Sequence, residues 1–144
     1  MLKNYQFAIA FDRKDIDSII THQGGSKTAS DEFAKLLAEQ IGMDHKPDST
    51  GMWTDTKAYV DEIAECTNIS VGYYGAHGKT EKLNVDYILK LRDAMCKIDV
   101  SKFVATRKPG DNSYKYSGCN YNRGSHWDGY GEYDYWDKAY KWPD

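Results

Sequence analysis

An α/β fold, a partial mixed sheet flanked by helices, is what this sequence predicts, and three observations carry the prediction. Phe7-Ala-Ile-Ala-Phe11 is a short unbroken apolar run suited to a strand covered on both faces. Ile69, Val71 and Tyr73 alternate with smaller or more polar residues, as a pleated strand places them. Two stretches repeat apolar residues at helical spacing, Phe33, Leu36, Leu37 and Ile41, then Ile88, Leu91, Met95 and Ile98. Alternation of the two periods gives the class. A chain of 144 residues is one domain's worth, here divided into an α/β unit at 1–104 and a Tyr/Trp-rich tail at 105–144.

The first strand, Phe7 to Phe11, ends abruptly at Asp12, and Asp12-Arg13-Lys14-Asp15 reads as a tight connection. Asp17-Ser-Ile-Ile-Thr-His22 has the β-branched content of a second strand, expected to be the antiparallel partner of the first. Gln23-Gly24-Gly25 closes this unit. A helix follows, capped by Thr28 or Ser30, with Asp31 and Glu32 at the positive end of its dipole and Gly42 at its stop. Met43 to Met52, with Pro47 and Gly51, is a connection holding at most a short strand. Trp53-Thr-Asp-Thr56 opens a short helical piece, and Thr54 or Asp55 suits its cap. Lys79 to Lys82 are solvated charges, after which Asn84 caps the second main helix.

Composition excludes several functions. With 19 basic and 22 acidic residues the net charge is −3, which gives neither a nucleic-acid-binding surface nor a polybasic membrane patch. No apolar run is long enough to span a bilayer, and the early run lacks the length and cleavage site of a signal peptide. Cys66, Cys96 and Cys119 are odd in number and without C-x-x-C spacing, so a disulfide framework is not indicated and a reducing, cytoplasmic setting is expected.

Cys66 to Gly78 is the stretch where chemistry is expected. His77 lies between Gly75 and Gly78, just past the end of the strand that carries Ile69 to Tyr73. Ligands of open α/β sheets bind outside the carboxyl ends of the strands, so an imidazole there is placed to hold a metal or move a proton, or is simply a half-exposed loop histidine. Asp12, also at a strand end, is either catalytic or a turn carboxylate that caps a backbone N–H or pairs with Arg13. Residues 111–144 carry seven of the twelve tyrosines and three of the four tryptophans, as in Tyr130-Gly-Glu-Tyr133-Asp-Tyr135-Trp136. Such residues suit docking across the chain's own surface or onto a partner; stacking on single-stranded nucleic acid requires a basic groove that these residues do not supply.

Ala10-Phe-Asp-Arg13, Ile19-Ile-Thr-His-Gln23, Ser30-Asp-Glu-Phe-Ala34, Thr54-Asp-Thr56 and Glu65 through His77 together form an ordered series. In that order and spacing, over residues 5–100, the series resembles the C-terminal half of co-catalytic zinc aminopeptidases of the M28 type and their phage and bacterial relatives. The resemblance implies a zinc-binding aspartate at Asp12 and a ligand for the second zinc at His77. It also implies a supporting aspartate near the substrate cleft at Asp55. Tyr73 and Tyr74 fall where they line a pocket or pack the sheet. A phage-associated setting is implied as well.

The first half of such enzymes contributes a His-x-Asp segment, a bridging carboxylate and a Glu-Glu pair holding the general base. Here no His is followed by x-Asp, since His22, His45, His77 and His126 precede Gln-Gly, Lys-Pro, Gly-Lys and Trp-Asp; the adjacent acidic pairs, Asp31-Glu32 and Asp61-Glu62, read as helix surface. A catalytic zinc takes about three protein ligands and leaves a fourth position open. One inherited ligand per metal falls short, so zinc is expected only where a partner completes the site. The expected function is a non-catalytic interaction or structural module, uncertain as an enzyme and inactive alone, assembling through an open sheet edge and the aromatic tail as a homo-oligomer. The alternative is the C-terminal part of a split aminopeptidase, active with a complementary peptidase-half chain.

Overall fold

The computed structural model describes residues 2–76, 78–111 and 113. Within them the elements are β1 (Phe7–Lys14), β2 (Ser18–Ile20), β3 (His22–Gln23), β4 (Ser26–Lys27), α1 (Asp31–Ile41), β5 (Lys46–Asp48), β6 (Glu65–Tyr74), β7 (Lys82–Leu83) and α2 (Val85–Met95). Short 3-10 turns cover Leu2–Asn4, Asp55–Tyr59 and Val100–Lys102. The fold is mixed α/β. Its main sheet runs β1-β6-β2-β5, with β7 added to β6.

The expected pairing of the first two strands is corrected. β6 lies between them, parallel to β1 from Phe7↔Glu65 onward and antiparallel to β2 at Ile19↔Ile69. Ten residues long and buried over its first eight, β6 carries ladder groups on both sides and so takes a neighbour on each. The link from β1 to β2 crosses its end. Asp15, in the left-handed region at φ 64°, donates its N–H to Tyr73 O and accepts from Gly72 N–H, both at 2.8 Å. Gly72 itself has φ 79°, and a Cβ there would stand 2.8 Å from the Tyr87 ring, so only glycine lets α2 approach this strand.

Second-strand residues divide differently from expectation too. β2 stops at Ile20, and His22-Gln23 starts a hairpin with Ser26-Lys27 across Gly24-Gly25, whose positive φ values of 57° and 81° suit a tight turn. The connection before Trp53 holds the three-residue β5, parallel to β2.

Helix boundaries follow local chemistry. Ser30 Oγ accepts from Phe33 N–H at 3.1 Å to start α1, and Gly42 returns its N–H to Ala38 O at 3.1 Å to close it. Asn84 Oδ1 accepts from Tyr87 N–H at 3.0 Å to start α2. Both helices pack on the face of the sheet that carries Ile19, Ile69 and Val71, through Phe33, Leu37, Ile41 and Leu91, with Phe103 completing the cluster. The Phe7, Phe33 and Phe103 rings meet at 5.2 to 5.6 Å. Each such buried side chain contributes about 2 kcal/mol by removal from water. On the opposite face Val60, Ile63 and Ala8 gather around Cys66, a smaller cluster over one end of the sheet.

The folded body continues past residue 104. Thr106 and Arg107 donate their backbone N–H groups to Glu65, and Lys27 N–H donates to Ser113 O at 2.9 Å.

Candidate binding cleft

The register between β1 and β6 is regular from Phe7 to Ala10 and then shifts twice before Lys14, a bulge at the carboxyl ends of both strands. Asp12 sits in this interruption, with its backbone N–H caught by the Asn68 side chain at 3.2 Å and the residue exposed. Beside it opens a cleft of about 790 Å³. Phe11, Val71, Tyr73, Leu83 and Ile88 give apolar walls, Met52, Trp53 and Thr54 close one side, and Asp12, Arg13, Lys14, Asn68 and Glu81 supply polar groups. This mixture of apolar wall and few polar groups, at strand ends, is the ordinary make-up of a binding site. A second, apolar groove of about 340 Å³ adjoins it, sharing Phe11, Val71 and Ile88 and adding Leu91, Arg92, Met95 and Cys96.

Arg13 is the polar anchor of the wall. Its guanidinium donates to Asp48 at 3.4 Å and Thr50 Oγ1 at 3.1 Å, while its Nε is buried and has no partner among the described residues. Burial works against the charge of Asp48, but the Thr50 hydroxyl and N–H, the Ser18 hydroxyl and Arg13 outweigh it and hold the carboxyl below the usual carboxylate range. Behind the cleft, Tyr87 Oη donates to Ile16 O at 2.5 Å and lies 3.0 Å from His45 Nε2. Burial pushes the Tyr87 phenol up to about 12, helped by Tyr74, Asp17 and Asp44. His45 is lowered, chiefly by its own burial, and its Nδ1 has no partner among the described residues.

Asp12 and Tyr73 come together in the cleft. Asp55 does not line it; it is the exposed first residue of the Asp55–Tyr59 turn, and its neighbour Thr54 both caps that turn and faces the cleft. Tyr74 stands outside the lining, 39% exposed and opposite Lys82 of β7. His77 lies outside the described residues, although Ala76 beside it reaches the rim. Tyr130, Tyr133, Tyr135 and Trp136 are likewise outside the described residues. Among the described residues no three His, Cys, Asp or Glu side chains come together as a metal site, so Asp12 has no companion ligands there and no zinc chemistry is derived from this set. Among them, too, no helix is long and apolar enough to cross a membrane.

Sequence reasoning passed over Met52, Trp53, Arg13 and Asn68. Met52 and Trp53 had a readable signal, being adjacent large apolar residues in a polar connection, and they are 75% and 72% exposed. Arg13 and Asn68 had none, because their role depends on which strands become neighbours.

No family model, curated protein or solved structure matches the chain.

Proposed function

We propose that this chain is a non-catalytic interaction or structural module, derived from the C-terminal half of an M28-type zinc aminopeptidase, that assembles through the free edge of β1. The observation that carries this reading is where β1 sits. Its sequence is an apolar run fit for a strand covered on both faces, and among the described residues it ends the strand order, its own residues only partly covered while β6 beside it is buried. Gln6 O accepts from Glu65 N–H at 3.1 Å, so by alternation Ala8 and Ala10 also face β6, and Phe7, Ile9 and Phe11 direct their backbone groups outward. Such an edge templates a further strand. A second copy of the chain supplies one most simply, giving a homo-oligomer.

The test is the mass of the native particle by analytical ultracentrifugation, with two variants. Ile9→Pro removes the outward N–H and leaves the inward ladder, whereas Ile9→Ala removes a similar amount of side chain and keeps the N–H. Loss of assembly in the first and its retention in the second is the expected pattern. A monomer in the unaltered protein would sink the reading.

The exposed Asp12 carboxylate at the strand ends favours a second reading, in which the chain is one part of a split zinc aminopeptidase. It requires a second polypeptide carrying His-x-Asp and Glu-Glu, with two zinc ions bound per complex and peptidase activity in the complex alone. Under the first reading Asp12→Ala leaves assembly unchanged.

A further inference from the structure

The cleft and its apolar groove form one trough, joined at Phe11, Val71 and Ile88, and the geometry points to the chain's own segment 127–137 as its occupant. This rests on the reading of the chain as an interaction module and names what covers its open face.

Two observations select this segment. The first is reach. The body holds the chain at Ser113, beside Lys27, and Thr28 in turn bonds Cys66 near the start of β6. From Cys66 to Val71 along the strand is five residues, about 17 Å at ~3.3 Å each. The fourteen residues from Ser113 to Trp127 extend to about 46 Å, so the span is covered with room for turns. The second is chemistry. Residues 127–137 contain Trp127, Tyr130, Tyr133, Tyr135 and Trp136, amphipathic rings suited to a trough that is apolar at its base and wet at its rim.

Tethering decides between this segment and a free partner. A segment joined by a short linker faces its site at an effective concentration on the order of millimolar, so even weak contacts fill the trough.

Cys96, exposed at the end of the apolar groove, is the reporter. Cys66 is buried and its thiol is pushed up to about 11 by that burial, so it does not compete for alkylating reagents. In a full chain carrying Cys119→Ser and Tyr133→Cys, prepared as an equal mixture of light and ¹⁵N-labelled protein, a short bis-maleimide should join position 133 to Cys96 within single-isotope species. Mixed-isotope cross-links would overturn the proposal by assigning the trough to another copy's tail. In the Cys119→Ser background, Tyr133→Ser with Tyr135→Ser and Trp136→Ser should raise the Cys96 alkylation rate about tenfold, the protection lost when a state populated about ten to one is removed. An unchanged rate overturns the proposal equally. A monomeric particle that still forms the single-isotope cross-link would remove edge assembly and leave this inference standing; an oligomer without the cross-link does the reverse.

Discussion

The two ends of β6 are built on opposite plans. At Glu65 the strand is sealed: the carboxylate is fully buried and accepts from Ser30 N–H at 2.6 Å, Ser30 Oγ at 3.0 Å, Thr106 N–H at 2.9 Å and Arg107 N–H at 3.0 Å. The Arg107 guanidinium, beside it, spends its donors on the carbonyls of Lys27, Asp111, Ile63, Ala64 and Val60. At Tyr73, eight residues along, the ladder is bulged, a buried Arg13 Nε is left without a partner among the described residues, and the cleft opens. Buried charge is tolerated where every lone pair is used, and such a network fixes one packing. The closed end therefore anchors the fold, and the open end is free to serve binding.

The largest effect should come from breaking the closed end. Glu65→Ala strands the Ser30, Thr106 and Arg107 backbone N–H donors in a buried site, at a cost of about 4 kcal/mol in chemical denaturation. Glu65→Gln keeps one acceptor oxygen and should cost about half as much. A loss below ~1 kcal/mol for the alanine variant would mean that this end is as open in solution as the other.

Local punctuation was legible in the chain, and the sealed end was not. Ser30, Gly42 and Asn84 act within one helical turn of themselves, so cap chemistry alone found them. Asp12 was expected to end its strand, whereas β1 runs on through a bulge to Lys14. Glu65, by contrast, is satisfied by groups 35 and 42 residues away, and Arg107 falls where the composition shifts toward the tail. The strand order was hidden for the same reason. A run such as Phe7 to Phe11 states that it wants covering on both faces, but not which strand pairs with it, and here β6 from much later in the chain takes that place.

An intermediate effect belongs to His45, which lies between the two ends, 3.4 Å from Ser70 O and 3.0 Å from the Tyr87 hydroxyl. Its folded pKa is lowered from 6.5, mainly by burial, against the raising influence of the Ser70 carbonyl, Asp17 and Asp44. The unfolded chain then binds the proton more readily. Stability from this site is complete above pH 6.5 and is lost as pH falls through the lowered value, with a slope of up to ~1.4 kcal/mol per pH unit. The lowered carboxyl of Asp48 adds a separate loss only below its ordinary 3.8. Urea titrations from pH 7 to 4.5 should show the first decline in the unaltered protein and a flatter profile in His45→Gln. An identical slope in both would place the titration elsewhere.

The smallest effect tests the open end directly. Trp53 is 72% exposed on the cleft wall, so in the body alone Trp53→Ala should change stability by less than ~0.5 kcal/mol, despite removing the largest kind of side chain. If segment 127–137 covers the cleft about ten to one, docking adds at most RT ln(1 + 10), about 1.4 kcal/mol, to the full chain, and Trp53 supplies part of that contact. The substitution should therefore cost more in the unaltered chain than in the variant bearing Tyr133→Ser, Tyr135→Ser and Trp136→Ser, and the difference between the two costs is the share of docking that runs through the indole. Equal costs in the two backgrounds would show that the tail does not touch this wall. A cost above ~2 kcal/mol in both would show that Trp53 is as deeply enclosed as the core residues at the sealed end, and the contrast between the two ends of β6 would be lost.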